Sequence, residues 1–189
     1  GDPRSKDAQV IREKMDHLNK IVEQVLHFAR SAEPQMTRVD LNQLIDDLGL
    51  LVRHKLTNQN IQWVRKLDPE IPMVGADATQ LEQAFLNLTL NAVEAMPKGG
   101  KLTILSRSVR LPRGSPTPTH AAIEFKDTGQ GMSEEQRRRA FTALLSTTKL
   151  KGTGLGLAIV AKIIETHRGK IKVKSQLGRG TTITIFLPL

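Results

Sequence analysis

The sequence contains no cysteine and no tyrosine, and its single tryptophan is Trp63. The lack of cysteine excludes a disulfide scaffold and any metal or thiol chemistry based on cysteine. Aromatic residues make up only 3% of the chain, so the core is expected to consist of Leu, Ile and Val. No apolar run approaches the ~20 residues of a membrane-spanning helix, and we expect no signal peptide in this sequence. The chain starts at Gly1, and we expect a cytoplasmic part of a longer protein, whether or not that protein is attached to a membrane.

Acidic residues are scarce in the last third of the chain. Residues 136–189 hold 11 Lys/Arg and one acid, Glu165, whereas residues 1–135 hold 17 Lys/Arg and 18 Asp/Glu. Such a concentrated positive field attracts a polyanion, which can be a nucleic acid, a membrane surface or a nucleoside triphosphate. Charge alone does not choose between these, but the scarcity of stacking aromatics argues against a nucleic-acid partner.

Residues 4–31 are predicted to form one long helix. Apolar residues recur there at intervals of seven, in heptad columns a, d and e: Ile11, Leu18, Val25, Ile21, Phe28, Met15, Val22 and Ala29. A stripe of this width favours a helical bundle over the alternative, an ordinary packed helix. We therefore expect a bundle-type helix within residues 1–33, a linker over residues 32–38, and a separate domain over residues 39–189.

The second domain shows both helical and strand periodicity. Asp40 is expected to cap a helix running to about His54, and Asp77 to cap one running to Met96. Residues 60–66 are predicted to form a strand and residues 68–75 a loop. Apolar and polar residues then alternate in four strands, around positions 102–104, 123–125, 171–173 and 183–187. Because each strand is apolar on one side only, we predict an α+β fold, a two-layer sandwich with helices on one face of a mixed, mostly antiparallel sheet.

Three clusters of residues are candidates for chemistry, and the first is a pair of asparagines. Asn87 and Asn91 are four residues apart in the helix that starts at Asp77, so they share one helical face. Amide oxygens can bind a hard cation such as Mg²⁺ without adding net charge. Two solvated asparagines are the alternative.

The second cluster is the run Asp127-Thr128-Gly129-Gln130-Gly131-Met132, directly after a predicted strand. Two nearby glycines allow a tight turn and a close approach to a ligand. An acid at that point can accept a hydrogen bond from an exocyclic amine. A plain turn, followed by a helix capped by Ser133, is the alternative.

The third cluster, Gly152-Thr153-Gly154-Leu155-Gly156, opens an apolar helix that runs to about Thr166. Each glycine in a helix costs ~1 kcal/mol relative to alanine, so three within five residues need a reason. A glycine-rich helix start exposes free N–H groups, which bind phosphate. Lys149 and Lys151 lie immediately before it.

In this order, the three clusters resemble the N, G1 and G2 boxes of the ATPase superfamily of histidine kinases, gyrase, Hsp90 and MutL. Phe141 and the run 146–149 resemble its F box and a short ATP lid. The segments 167–171 and 178–182 resemble the closing strands of sensor histidine kinases, in particular the short-lid, nitrogen-regulator type. The resemblance implies the Bergerat ATP-binding fold.

The resemblance also implies a role for individual residues. Asn91 would hold Mg²⁺, with Asn87 beside it near the phosphates as the catalytic position. Asp127 would bind the adenine amino group. The remaining residues expected to bind ATP are Gly129, Gly131, Met132, Thr147, Thr148, Lys149, Gly152, Thr153, Gly154, Leu155, Gly156, Leu157 and Thr181.

The same resemblance implies a histidine protein kinase rather than a hydrolase, because Asn87 stands where hydrolytic members carry a glutamate base. The implied acceptor is a histidine followed by an acid, and none of the five histidines fits this pattern. We therefore expect the acceptor on a missing first helix of the phosphotransfer bundle, a homodimeric parent kinase, and a response-regulator receiver domain as partner. A non-catalytic nucleotide-sensing module is the first alternative, and a nucleic-acid-binding domain is the second.

Overall fold

The structure is a computed structural model that describes residues 33–112, 114–139 and 156–189, together with Met15. The predicted N-terminal helix therefore lies outside the described residues, apart from Met15. The described part contains seven strands and four helices. In chain order these are β1 (Thr37–Val39), α1 (Leu41–Asn58), β2 (Ile61–Lys66), β3 (Val74–Ala76), α2 (Ala78–Ala95), β4 (Gly100–Val109), β5 (His120–Asp127), α3 (Glu134–Arg139), α4 (Gly156–Thr166), β6 (Lys170–Gln176) and β7 (Gly180–Pro188).

Five strands form the main sheet, in the order β2-β4-β5-β7-β6. β2 runs parallel to β4, with Ile61 opposite Gly100, and the other three pairings are antiparallel. The prediction of a mixed, mostly antiparallel sheet is confirmed. β1 and β3 form a separate antiparallel pair.

Both predicted aspartate caps occur at the starts of the long helices. The side chain of Asp40 accepts from the N–H groups of Asn42 and Gln43, and that of Asp77 accepts from Gln80 N. These bonds satisfy N–H groups that have no partner inside the helix. Helix α1 continues to Asn58, one turn beyond the predicted end, because buried Leu56 extends its apolar stripe.

A single apolar core lies between the sheet and three helices. α1, α2 and α4 contribute buried Leu, Ile and Val side chains to the same cluster as the strands. The buried rings of Phe85 in α2 and Phe125 in β5 have centroids 5.3 Å apart within this core. In β6, Lys170, Lys172 and Lys174 are exposed, as expected for residues on the open face of the sheet. The predicted two-layer sandwich is confirmed.

The two short strands are the main departure from the sequence prediction. Residues 37 and 38, predicted to belong to a linker, lie in β1, and residues 74 and 75, predicted to belong to a loop, lie in β3. Each strand has three residues, which are too few to show an alternating pattern. Their pairing, with Arg38 opposite Gly75, instead depends on a contact between distant parts of the chain.

Candidate functional site

Asp127 is the last residue of β5, and its side chain is 7% exposed. Its Oδ1 atom accepts hydrogen bonds from Gly129 N at 2.8 Å and from Thr181 N at 3.2 Å. The structure thus brings together two predicted site residues that are 54 positions apart. Backbone donors on both sides fix the orientation of this carboxylate, which is the arrangement needed to present an acceptor to a ligand.

The loop that follows Asp127 is held tightly between α2 and the β6–β7 hairpin. A Cβ atom on Gly129 would lie 2.5 Å from the carbonyl oxygen of Ala95, at the end of α2. Gly131 has a φ of +67°, and a Cβ atom there would collide with the carbonyl oxygen of Gln176. Both positions therefore require glycine, which supports the prediction of a closely packed turn.

Hydrogen bonds join the same loop to both neighbours. Gln130 N donates to Ala95 O at 2.9 Å, and Gln130 O accepts from Gly178 N at 2.7 Å. Met132 N donates to the hydroxyl of Ser175 at 2.8 Å. Sequence reasoning missed Ser175, because a serine in an alternating strand gives no sign of its partner.

Asn87 and Asn91 lie on one face of α2, opposite the start of α4. A Cβ atom on Gly156 would be 3.7 Å from Asn91 Nδ2 and 4.0 Å from Asn87 Oδ1. The structure therefore joins the first cluster to the end of the third. Among the described residues, the Nδ2 atoms of both asparagines are buried and have no hydrogen-bond partner. A buried polar group without a partner costs about 1–3 kcal/mol, so these two amides are poorly explained as structural residues.

The far end of α4 is attached to the start of α2 by His167, which is 4% exposed. Its Nε2 atom accepts from Asp77 N at 2.9 Å, and its Nδ1 atom lies 2.7 Å from the carbonyl oxygen of Ile163. A carbonyl can only accept, so Nδ1 donates to Ile163 O while Nε2 accepts from Asp77 N. Sequence reasoning did not assign this role to His167. The contact fixes the helix whose first residues face Asn91.

Asp77, which touches this histidine through its backbone, has a perturbed carboxyl group. Burial would raise the pKa of Asp77, but hydrogen bonds from the backbone N–H groups of Gln80, Gln35 and Thr79, together with the nearby His167, hold the pKa below its ordinary value. The carboxylate therefore caps α2 in its charged form.

The other predicted site residues are partly outside the described ranges. Leu157 is half-buried and packs against the core. The remaining predicted contacts of the third cluster and the lid cannot be placed in this way, because they lie outside the described residues: Thr147, Thr148, Lys149, Gly152, Thr153, Gly154 and Leu155.

Known proteins share the sequence pattern and the fold of this chain. Residues 76–189 match the family described as Histidine kinase-, DNA gyrase B-, and HSP90-like ATPase. The sensor histidine kinase ZraS of Escherichia coli (strain K12) is 35% identical over 182 residues, which are 96% of this chain and 37% of ZraS. The chain therefore spans little more than a third of the length of that kinase.

Solved structures show the same relationship. The catalytic domain of the histidine kinase ThkA is 32% identical, with a TM-score of 0.71 over 82% of this chain and 95% of that domain. ThkA in complex with the response regulator protein TrrA gives a TM-score of 0.79 at 28% identity, covering 100% of this chain and 52% of that one. Full-length ShkA in complex with AMPPNP gives 0.80 at 27% identity, covering 100% and 39%.

Asn87, Asn91, Asp127 and Thr181 all lie within the matched residues 76–189. From the fold, the convergence of these residues and the coverage of the ThkA domain, the chain belongs to the histidine kinase-, DNA gyrase B- and HSP90-like ATPase family, as a histidine kinase catalytic domain.

Proposed function

We propose that this domain binds ATP together with Mg²⁺ and presents the γ-phosphoryl group to a histidine of the longer kinase. The observation that carries the proposal is the convergence of the predicted clusters on one side of α2. The loop after Asp127 touches the end of this helix at Ala95, and the start of α4 faces Asn87 and Asn91. The adenine of a nucleotide would then bind near Asp127, and its phosphates would bind near Asn87 and Asn91.

The adenine end of the proposed site is the Asp127 carboxylate. Two backbone N–H groups hold this carboxylate, and Asp127 is 7% exposed. A ligand would therefore bind to an ordered acceptor that has little contact with solvent. A hydrogen bond to a charged acceptor is worth more than a neutral one, and it selects an amino group over a carbonyl. This favours adenine over guanine.

The phosphate end of the proposed site is the face between α2 and the start of α4. The described residues contain no group of three or more His, Asp or Glu side chains that could hold a metal. Asn91 Oδ1 would be a ligand for Mg²⁺, and the Nδ2 atom of the same amide is buried without a partner among the described residues, so no hydrogen bond at Nδ2 gives this side chain a structural role. When bound, Mg²⁺ neutralises charge on the phosphates. Helix α4, whose first residues face both asparagines, would direct its free N–H groups toward the same place.

Transfer to histidine, rather than hydrolysis, follows from the chemistry of Asn87. An amide cannot take a proton from water, whereas phosphoryl transfer needs mainly positioning and charge neutralisation. The ThkA–TrrA complex supports a response-regulator receiver domain as the next acceptor. We further propose that residues 1–33 form the second helix of a phosphotransfer bundle and that residues 39–189 form the catalytic unit. The parent kinase is proposed to be a homodimer. This part of it is proposed to lie in the cytoplasm, where ATP is supplied. No described helix is long and apolar enough to cross a membrane.

Replacement of Asp127 by asparagine tests the adenine end. Asp127→Asn places an N–H donor against donors, so ATP affinity is expected to fall by ~1–3 kcal/mol, or about 5- to 150-fold, and preference for ATP over GTP should decrease. Calorimetric titration with both nucleotides measures this. Asp40→Asn is the matched control, because asparagine caps a helix as well as aspartate does. If Asp127→Asn binds ATP as tightly as the wild type does, and likewise binds GTP as the wild type does, Asp127 is only a turn residue.

Replacement of Asn91 by alanine tests the phosphate end. Asn91→Ala should strongly weaken Mg²⁺-dependent ATP binding, yet leave stability unchanged or higher, because its Nδ2 atom is buried without a partner among the described residues and alanine favours helix. Asn42→Ala is the control and should lower stability but leave Mg²⁺-dependent ATP binding unchanged, because the Asn42 side chain donates to Asp68 O and accepts from the Ser106 hydroxyl. Urea unfolding and titration with and without Mg²⁺ give both quantities. An unchanged dissociation constant for Asn91→Ala contradicts the metal assignment.

A further inference from the structure

Ser175, near the end of β6, makes three polar contacts in a place where the site residues meet the β6–β7 hairpin. Its hydroxyl oxygen accepts from Met132 N at 2.8 Å, lies 3.1 Å from Gly180 O, and lies 2.8 Å from Thr181 Oγ1. Ser175 belongs to none of the three clusters identified in the sequence. It nevertheless contacts a residue of the second cluster and the threonine that bonds Asp127.

The number of protons and lone pairs on the Ser175 hydroxyl determines which of its three contacts it donates to and which it accepts from. A hydroxyl has one proton and two lone pairs, and Met132 N uses one lone pair. If Ser175 donates to Gly180 O, it accepts the Thr181 proton, and both hydroxyl orientations are then fixed. All three contacts are satisfied together only in this arrangement, because the carbonyl of Gly180 cannot donate. The Ser175 hydroxyl therefore sets the direction of the Thr181 hydroxyl as well as the position of Met132.

At least three hydrogen bonds between described residues join Asp127 and the loop after it to the hairpin, and one of them uses the side chain of Ser175. Gly178 N bonds Gln130 O, and Thr181 N bonds Asp127 Oδ1, so both of these hairpin donors are backbone groups. The third bond is from Met132 N to Ser175. Removal of the Ser175 hydroxyl thus breaks the bond that uses a side chain of the hairpin and leaves the two backbone bonds in place.

We propose that Ser175 is a positioning residue for the adenine end of the site, acting through Thr181 and Met132 on the orientation of Asp127. This inference rests on the proposed binding of ATP at Asp127. Removal of the hydroxyl leaves Met132 N without its acceptor and lets the Thr181 hydroxyl rotate. The carboxylate is then held less firmly when adenine binds, while the phosphate end at Asn91 is unchanged.

The experiment compares Ser175→Ala with Ser175→Thr and with the control Ser106→Ala. Ser106 is also a strand serine with several partners, since its hydroxyl bonds Asn42 Oδ1 and Asp68 N, but these partners are not site residues. Loss of roughly one neutral hydrogen bond at the site should weaken ATP and ADP binding equally, about 3- to 10-fold for Ser175→Ala, with no change in the effect of Mg²⁺. Ser175→Thr keeps the hydroxyl in a β-branched residue suited to a strand and should restore most of the affinity.

A double-mutant cycle distinguishes positioning from general destabilisation. In an Asp127→Asn background, Ser175→Ala should have a much smaller effect on ATP affinity, because residues that act on one another are not additive. Ser106→Ala should lower stability without changing nucleotide affinity. If Ser175→Ala binds ATP as wild type while Asp127→Asn does not, the role of Ser175 is overturned and the proposed function stands. If the effects of Ser175→Ala and Asp127→Asn are fully additive, the coupling is also overturned. Failure of the wild-type protein to bind ATP overturns both proposals.

Discussion

The Asp77 side chain caps α2 in a charged form, and this gives stability a specific dependence on pH. Because the folded pKa lies below the unfolded value, the charged cap stabilises the fold fully above the unfolded pKa. That contribution is lost as pH falls through the folded pKa. We predict that the free energy of unfolding of the wild-type protein declines below about pH 4, measured by urea unfolding at a series of pH values.

Two substitutions at this position separate the cap from its charge. Asp77→Asn keeps a good capping side chain but cannot titrate, so the decline below about pH 4 should become shallower. Asp77→Ala removes the cap and should cost about 1 kcal/mol near neutral pH. An identical acid slope for wild type and Asp77→Asn would mean that other carboxyl groups produce the decline.

Individual site residues were predictable from the sequence only where a motif surrounds them. Asp127 stands out because two glycines follow it, and the structure shows why those glycines are needed. Ser175 and His167 have no such surroundings. Their roles come from partners 43 and 90 positions away, Met132 and Asp77, and neither alternation nor spacing encodes such a partner.

Helix α4 is an element whose placement depends on one buried side chain. His167→Ala would leave Asp77 N without its acceptor and would open a cavity, at an expected cost of about 2–4 kcal/mol in unfolding free energy, while Ile163 O would keep its bond from the backbone N–H of residue 167. ATP affinity should fall as well, because the start of the same helix faces Asn91. His54→Ala, at an exposed position of α1, is the matched control and should change stability by less than about 0.5 kcal/mol. Similar values for both variants would show that His167 does not hold the helix.

Whole elements were predictable in proportion to their length. The helices from Leu41 and Ala78 each have 18 residues and an aspartate cap, and the sequence prediction of both is confirmed. The four strands predicted from alternation, β4 to β7, are also confirmed, because each has seven or more residues and so shows a clear alternating pattern. β1 and β3 form because the chain returns to itself at Val39 and Val74, which is a property of the folded domain and not of either short segment.

For the molecule as a whole, we predict ATP binding without self-phosphorylation. The five histidines are followed by Leu, Phe, Lys, Ala and Arg, so none is in the acceptor pattern of a histidine followed by an acid. Incubation with γ-labelled ATP should leave the chain unlabelled, and label should appear on an added phosphotransfer helix that carries the acceptor histidine. Acid-labile, alkali-stable label on the chain alone would contradict this, and loss of that label in His17→Gln would identify the acceptor.

The position of β7 in the sheet has a consequence for the order of events during synthesis. This strand has the highest residue numbers of the sheet, yet it lies between β5 and β6 and carries Thr181, which bonds Asp127. While a ribosome is still adding residues 180–188, β5 has an uncovered edge and β6 has no neighbour on either side. Unpaired strand edges of this kind favour aggregation of nascent chains. The proposed nucleotide site is therefore completed only after β7 has been translated, and a nascent chain that stops before Gly180 lacks the Thr181 N–H group that bonds Asp127.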